Sequence, residues 1–365
     1  MLALPSFLAN AATTRSLVQQ ASARTAAQTP YDAALAETRA PLDLRASGDA
    51  RTHELIRYAA LAANSHNTQP WVFKTVPDGI VISPDFERRC RVVDPDDHHL
   101  FVSLGCATEN LIIAATGYGL QATARFVDDR TPRIEVSLQD AAIARSALID
   151  AIPLRQSTRS DYDGSTLSAD ERTALLDAAS APDVDLHFIE SADAKTGLGD
   201  LIMAGNTAQL ENRAFVSELR DWIRFSASAA ANNRDGLFAA CTGNPTLPNW
   251  LGRLIFSMVL RTSSENLKVR RQIDSSAALA VFVSEKDEPA NWVQTGRAFQ
   301  HMALEATRLG LAHAHLNQAV EVSSVRAELA RFLGIASGRP SLIVRLGRAA
   351  PMAYSLRRST AAIIT

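Results

Sequence analysis

Apolar residues first recur at helical spacing over residues 50–63, where Leu55, Ile56, Ala59 and Ala62 fall on one stripe. Asn64-Ser65-His66-Asn67-Thr68-Gln69-Pro70-Trp71 follows directly, a polar run closed by a proline and a tryptophan, and it ends that helix. Two short runs, WVFKTV and GIVISP, flank the turn sequence Pro77-Asp78-Gly79 and predict a hairpin. An Ala-, Leu- and Ile-rich stretch predicts a long helix over 98–118, and LQATARFV with RIEVSL predicts a second hairpin around Asp128-Asp129-Arg130.

A second half begins near Ile152. Ser168 with Glu171 three residues on is a capping-box start for a helix to Ala179, and the strand DLHFIE follows. The pattern then predicts a long helix over 195–227, the strand AALAVFVS, a helix over 291–316, a short helix over 323–333 and a last strand, SLIVRLG. Residues 229–275 carry Gly, Pro and Asn among apolar clusters; a stretch this long is an insertion, read as a lid or a partner-binding surface.

The two halves echo each other. Gly105-x-Ala107, Ala115-Thr116 and Gly119-Leu120 recur at the same offsets as Gly296-x-Ala298, Ala306-Thr307 and Gly310-Leu311, each set on a long helix leading toward a strand. The expectation is one central helix used twice, a pseudo-dimer within one chain.

Composition narrows the class. With 365 residues and 47% hydrophobic content the chain can bury a large core or two. A formal net charge of -2 and no long run of one sign leave no footprint for a nucleic-acid backbone. The cysteines Cys90, Cys106 and Cys241 lack metal-ligand spacing, and neither His98-His99 nor His313-x-His315 has the i,i+4 spacing of a helical metal pair, so no metal is expected. No run is long and apolar enough to predict a membrane span. The start, MLALPSFLANAATTRS, resembles the tail of a secretory signal ending in Ala9-Asn10-Ala11 but has no basic residue ahead of it, so cytoplasmic and exported (periplasmic) locations both stay open. Residues 1–50 read as an arm outside the two halves, 51–150 and 151–365.

Three segments carry candidate chemistry. In the octet, Asn64, Ser65, His66, Asn67 and Gln69 offer edge contacts to a flat ring, while Pro70 and Trp71 offer apolar support; the plain alternative is a helix cap followed by a core strand. In LRQSTR, the alternate residues Arg155, Ser157 and Arg159 would share one face of an extended strand and clamp a phosphate, or merely solvate a boundary. Arg357 and Arg358 near the C-terminus would close such a clamp or lie on the surface. There is no G-x-G-x-x-G after a strand, no P-loop and no G-x-S-x-G elbow.

The segment ANSHNTQPWVF resembles the flavin-contact segment of the nitroreductase superfamily, LRQSTRSDYDG its arginine-rich phosphate segment, and LIVRLGRAAPMAYSLRR its last strand and basic tail. Here the tryptophan segment lies in the first half and the phosphate segment opens the second, an order similar to the fused nitroreductase-like proteins called the Acg family. The resemblance covers roughly residues 51–361. It implies an α+β nitroreductase-like fold duplicated in one chain, with central antiparallel or mixed sheets surrounded by helices. One complete site would form across the pseudo-twofold, because AASAPDVDLHFIE and LRASGDAR are poor second copies of the two segments.

By that resemblance FMN is the cofactor: Arg155, Ser157 and Arg159 hold its phosphate, Arg357 or Arg358 closes the clamp, and Asn64, Ser65, His66, Asn67 and Gln69 surround the isoalloxazine. Asn64 stands where the superfamily commonly has proline. The implied activity is hydride transfer from NAD(P)H to a nitroaromatic, quinone or other activated small-molecule acceptor, with no protein acid or base required. An FMN storage or sequestration protein, its flavin covered by the 229–275 lid, is the alternative, and a cofactor-free interaction protein a third reading. Either a monomer with an internal pseudo-dimer or a homodimer fits.

Overall fold

The structure, a computed structural model, describes residues 29–365, so the Ala9-Asn10-Ala11 reading lies outside the described residues. Helix α1 (Pro30–Arg39) starts at a reciprocal capping box between Thr29 and Asp32, with Pro30 in its first turn. Helix α2 (Gly48–Ala59) carries the predicted stripe, and Leu55, Ile56, Ala59 and Ala62 are all fully buried. Strands β1 (Trp71–Val76) and β2 (Gly79–Pro84) form the predicted hairpin, α3 (His98–Ala115) the long helix, and β3 (Leu120–Val127) with β4 (Arg133–Asp140) the second hairpin.

The second half repeats this plan. Helix α4 (Ala169–Ala179) opens at the Ser168–Glu171 capping box and leads to β5 (Val184–Ile189). An insertion then supplies α5 (Ala192–Glu211), α6 (Arg213–Trp222), β6 (Ile223–Arg224), α7 (Ala227–Asn233), β7 (Leu237–Phe238), α8 (Asn249–Val259) and α9 (Thr262–Asp274). The plan resumes with β8 (Ala278–Ser284), α10 (Pro289–Arg308), β9 (Ala312–His315), α11 (Gln318–Glu321), α12 (Ser323–Phe332) and β10 (Arg339–Gly347). The first sheet has the order β1-β2-β4-β3 and the second β5-β8-β10-β9, the same topology position for position. Both sheets are antiparallel throughout; among the described residues parallel pairing occurs in the two-residue ladder of β6 with β7 and in the isolated bridges Phe73–Ile364 and Ser157–His313.

Two expectations need correction. The helix expected over 195–227 is two helices, because Asn212 ends α5 and its Oδ1 caps α6 by accepting from Ala214 N at 2.9 Å. The helix expected over 291–316 stops at Arg308: Gly310 takes φ +73°, and His313 and His315 belong to strand β9.

The echoed glycines explain how the halves join. A Cβ on Gly105 would stand 2.0 Å from the Val293 carbonyl oxygen, and one on Gly296 would stand 2.0 Å from that of Val102. Thus α3 and α10 cross backbone to backbone, reciprocally, at the pseudo-twofold. All residues of α3 except Ile112 are buried. Its length and hydropathy would suit a membrane span, yet 83% of that window is buried in the protein, as befits a helix apolar on every side. One hydrophobic cluster draws on both halves, from Trp71 and Phe73 to Phe282 and Phe299. The C-terminal tail crosses back to the first half, where Phe73 N donates to Ile363 O at 2.7 Å and Thr365 N to Phe73 O at 2.9 Å.

Candidate functional site

The octet folds as a turn, not an extended loop. His66, Asn67 and Gln69 have φ of 46°, 56° and 55°, a left-handed backbone that non-glycine residues adopt at a cost. Side chains hold it there. Asn64 Oδ1 accepts from Gln69 N at 2.8 Å, Asn67 Nδ2 donates to Gly236 O at 2.8 Å and Leu356 O at 3.0 Å, and Gln69 Nε2 donates to Arg234 O at 2.8 Å. Arg88 donates to Thr68 O at 2.6 Å and pairs with Asp235, which also pairs with Arg224. Asn67 and Gln69 are therefore scaffold, tying the octet to the insertion at 234–236 and to the C-terminal segment, while Asn64, Ser65 and His66 face a cavity. Trp71 is wholly buried under the turn.

That cavity, about 300 Å³, lies between the halves. Asn64 to His66, His99, Ser103 and Cys106 come from the first half, Arg159, Phe299, His315 and Glu321 from the second, and Gln209, Phe215, Leu219, Leu237 and Leu260 from the insertion. Burial drives the His66 imidazole down to about 4 and that of His315 to about 3, each with Arg159 adding to the effect, so both are neutral at ordinary pH. Burial raises the Glu321 carboxyl and lowers His99, whose Nε2 lies 3.6 Å from Glu321 Oε1.

A smaller cavity of about 70 Å³ adjoins it, sharing Ala63, Asn64, Arg159, Leu237 and His315. Here Arg39, Arg155, Arg159 and Arg357 converge, with Ser157 on the wall and no carboxylate among the lining residues. Burial depresses all four guanidinium groups, Arg39 and Arg155 to about 10, and Arg155 also acts on Arg39. Arg155 Nε and Nη1 and Arg39 Nε are buried and have no hydrogen-bond partner among the described residues. Guanidinium does not give up its proton in proteins, so this cluster is a concentration of desolvated positive charge shaped for an anion.

The structure thus brings Asn64, Ser65, His66, Asn67, Arg155, Ser157, Arg159 and Arg357 to two joined cavities. Gln69 is held outside them, and so is Arg358, which lines a third cavity beside Arg57 and Thr360 and has its Nη1 3.7 Å from Asp85. Arg357 is spent on structure: it donates to the carbonyls of Ala60, Leu61 and Ala62 and to Asn67 Oδ1, stapling the helix end that precedes the octet. Sequence reasoning missed Arg39, which arrives from the arm and donates to Pro153 O at 2.6 Å with its guanidinium over the Tyr354 ring. Thr29-Pro30-x-Asp32 was a readable helix start for α1. His99 and His315 showed in the sequence only as histidine pairs without metal spacing, and Glu321 had no local signal, since the three converge only in the fold.

No family model matches the chain. It is 25% identical over 327 residues, covering 87% of this chain and 92% of theirs, to proteins named "Putative NAD(P)H nitroreductase" in two strains of Mycobacterium tuberculosis. Among solved structures, a Bacteroides fragilis nitroreductase with bound FMN is 17% identical, with a TM-score of 0.35 over 58% of this chain and 94% of that one. A nitroreductase-like protein from Bacillus cereus is 12% identical, with a TM-score of 0.36 over 60% and 94%. The fold is α+β and duplicated, with two four-stranded sheets of matching strand order flanked by helices.

Proposed function

We propose that the chain is an FMN-dependent oxidoreductase that passes hydride from NAD(P)H to a small activated acceptor such as a nitroaromatic or quinone. The observation that carries this reading is the buried arginine cluster, with three unpartnered donors and no carboxylate on its wall, opening into a larger cavity edged by the octet. The mycobacterial relatives' name supports it.

The residues fit the cofactor. Arg39, Arg155 and Arg159 with Ser157 would hold its phosphate, and Asn64, Ser65 and His66 would border its ring. FMN, when bound, supplies the hydride chemistry itself. The protein's part is positional: the octet's left-handed turn presents polar edges on a fixed frame, and Leu237, Leu260 and Phe215 exclude water from one side. His66 and His315, held neutral, would add no charge to a cavity that held the ring.

The insertion also favours a second reading, in which the flavin is stored behind those apolar side chains and turns over poorly. An anaerobic absorbance spectrum separates the two. Flavin bands that bleach on adding NADPH or NADH support the oxidoreductase. Bands that only dithionite bleaches support storage, and a protein that stays colourless after incubation with FMN refutes both.

A further inference from the structure

Glu321 is a largely buried carboxyl, its side chain 14% exposed, and no arginine or lysine among the described residues pairs with it. Its Oε2 accepts from Gln209 Nε2 at 2.6 Å, and Oε1 has only the His99 ring at 3.6 Å. The other groups acting on it are the carboxyls of Asp94 and Glu218, which push the same way as burial. A desolvated carboxyl among like charges is costly unless something else partners it. Glu321 lines the larger cavity and, with Glu265, is absent from the smaller one, where the arginines gather. The joined cavities are therefore polarised: one part is cationic, and another carries the acids. Leu210, Phe215 and Leu219 give that larger cavity an apolar wall suited to a flat ring.

We infer that the acidic part of the larger cavity is a charge-selective acceptor subsite, which takes a planar ring that is cationic or donates a hydrogen bond and rejects one bearing a carboxylate, with Glu321 as the discriminating group. This rests on the flavin reading only for what fills the basic part. A donor on the ring completes the hydrogen bonding of Glu321 Oε1, whereas a carboxylate there would face a second carboxyl across a desolvated gap.

The test is calorimetric titration of the FMN-incubated protein with three ring probes of similar shape: benzamidinium, phenol and benzoate. In the wild type benzamidinium and phenol each bind at least about tenfold tighter than benzoate, and in Glu321→Gln the three fall within roughly threefold of one another. Equal affinities in the wild type, tighter benzoate, no binding of any probe, or an unchanged order in Glu321→Gln would each overturn the inference. Glu321→Met serves as the second replacement if the glutamine variant does not fold, and it should likewise erase the order. Flavin absorbance read on the same samples separates the failures. A colourless protein that keeps the probe order sinks the flavin reading alone, whereas a yellow one without the order sinks the charge-selective subsite alone.

Discussion

Replacing Gly296 by alanine sets helix propensity against packing, and the two predict opposite signs. In an exposed helix the change would stabilise by about 1 kcal/mol. Here the new Cβ would sit 2.0 Å from Val102 O, against 3.4 Å or more for an ordinary contact, and the obstacle is backbone, which cannot swing aside. The helices α3 and α10 would have to part by about 1.4 Å, and overpacking of this kind typically costs about 1–3 kcal/mol. Net destabilisation of about 1 kcal/mol is expected from urea unfolding followed by far-UV circular dichroism. Gly105→Ala meets Val293 O at the same 2.0 Å and should cost about the same. The damage should also reach the site, because Ser103, Cys106 and Phe299 lie within three residues of the crossing and line the larger cavity. Flavin affinity in the variants should therefore fall along with stability. Either variant proving as stable as the wild type, or more so, would refute the close backbone crossing as the join between the halves.

Three further outcomes follow from the site. Arg155→Met removes a desolvated cation whose Nε and Nη1 are unpartnered, so the cofactor-free protein should keep or gain stability while FMN affinity, read by flavin fluorescence quenching, drops about a hundredfold; a loss of stability with unchanged affinity would refute the anion site. Asn67→Ala forces alanine to φ 56° and strips hydrogen bonds from Gly236, Leu356 and Arg357, at a cost of about 3 kcal/mol; limited proteolysis should find faster cutting near residues 234–243 than in the wild type. His66 and His315 titrate in the fold at about 4 and about 3, below the ordinary 6.5, so the unfolded chain takes up their protons first and stability falls as pH drops through 6.5. Between pH 7.5 and 5 each contributes a loss of about 2 kcal/mol, and His315→Gln should shrink the measured loss by that amount; an unchanged loss would mean His315 is not held neutral.

The parts of the fold that were legible are those where neighbouring residues carry the cause. Hairpin turns, the Ser168–Glu171 box and the stripe through Leu55 and Ile56 act within a few positions and leave local patterns. Gly105 and Gly296 were legible for a different reason: a backbone crossing admits only glycine on both sides, and duplication printed the same requirement twice. The strand at His313 and His315 was hidden because it follows an Ala-rich helix with only Leu309, Gly310 and Leu311 between them, and a short apolar run has no periodicity of its own. In the site, the pairing of Arg155 with Arg159 is a spacing of four in one segment and was readable. Arg39, His99 and Glu321 were not, since each owes its place to a different element and no spacing relates them.

Why only one of two symmetry-related sites has this character follows from the same duplication. Superposing the glycine crossing shifts numbering by the interval from Gly105 to Gly296, which sets cavity-lining Cys106 against Arg297 and Asn110 against His301. Arg297 and His301 both pair with Glu109, at 3.0 Å and 2.8 Å, and that carboxylate is buried between the helices. A buried Glu109–Arg297 ion pair with His301 hydrogen-bonded to it thus stands where the other half carries Cys106 and Asn110. The second connection has diverged too: β1 and β2 are joined by Pro77-Asp78 alone, whereas β5 and β8 are joined by the insertion that walls the retained cavity. In a homodimer every substitution appears at both sites, so a carboxyl such as Glu109 that closes one closes the other. A fused chain is free of that constraint. One crossing can become a structural ion cluster while the other keeps its cavity, and an insertion of some eighty residues need serve only the side on which it folds.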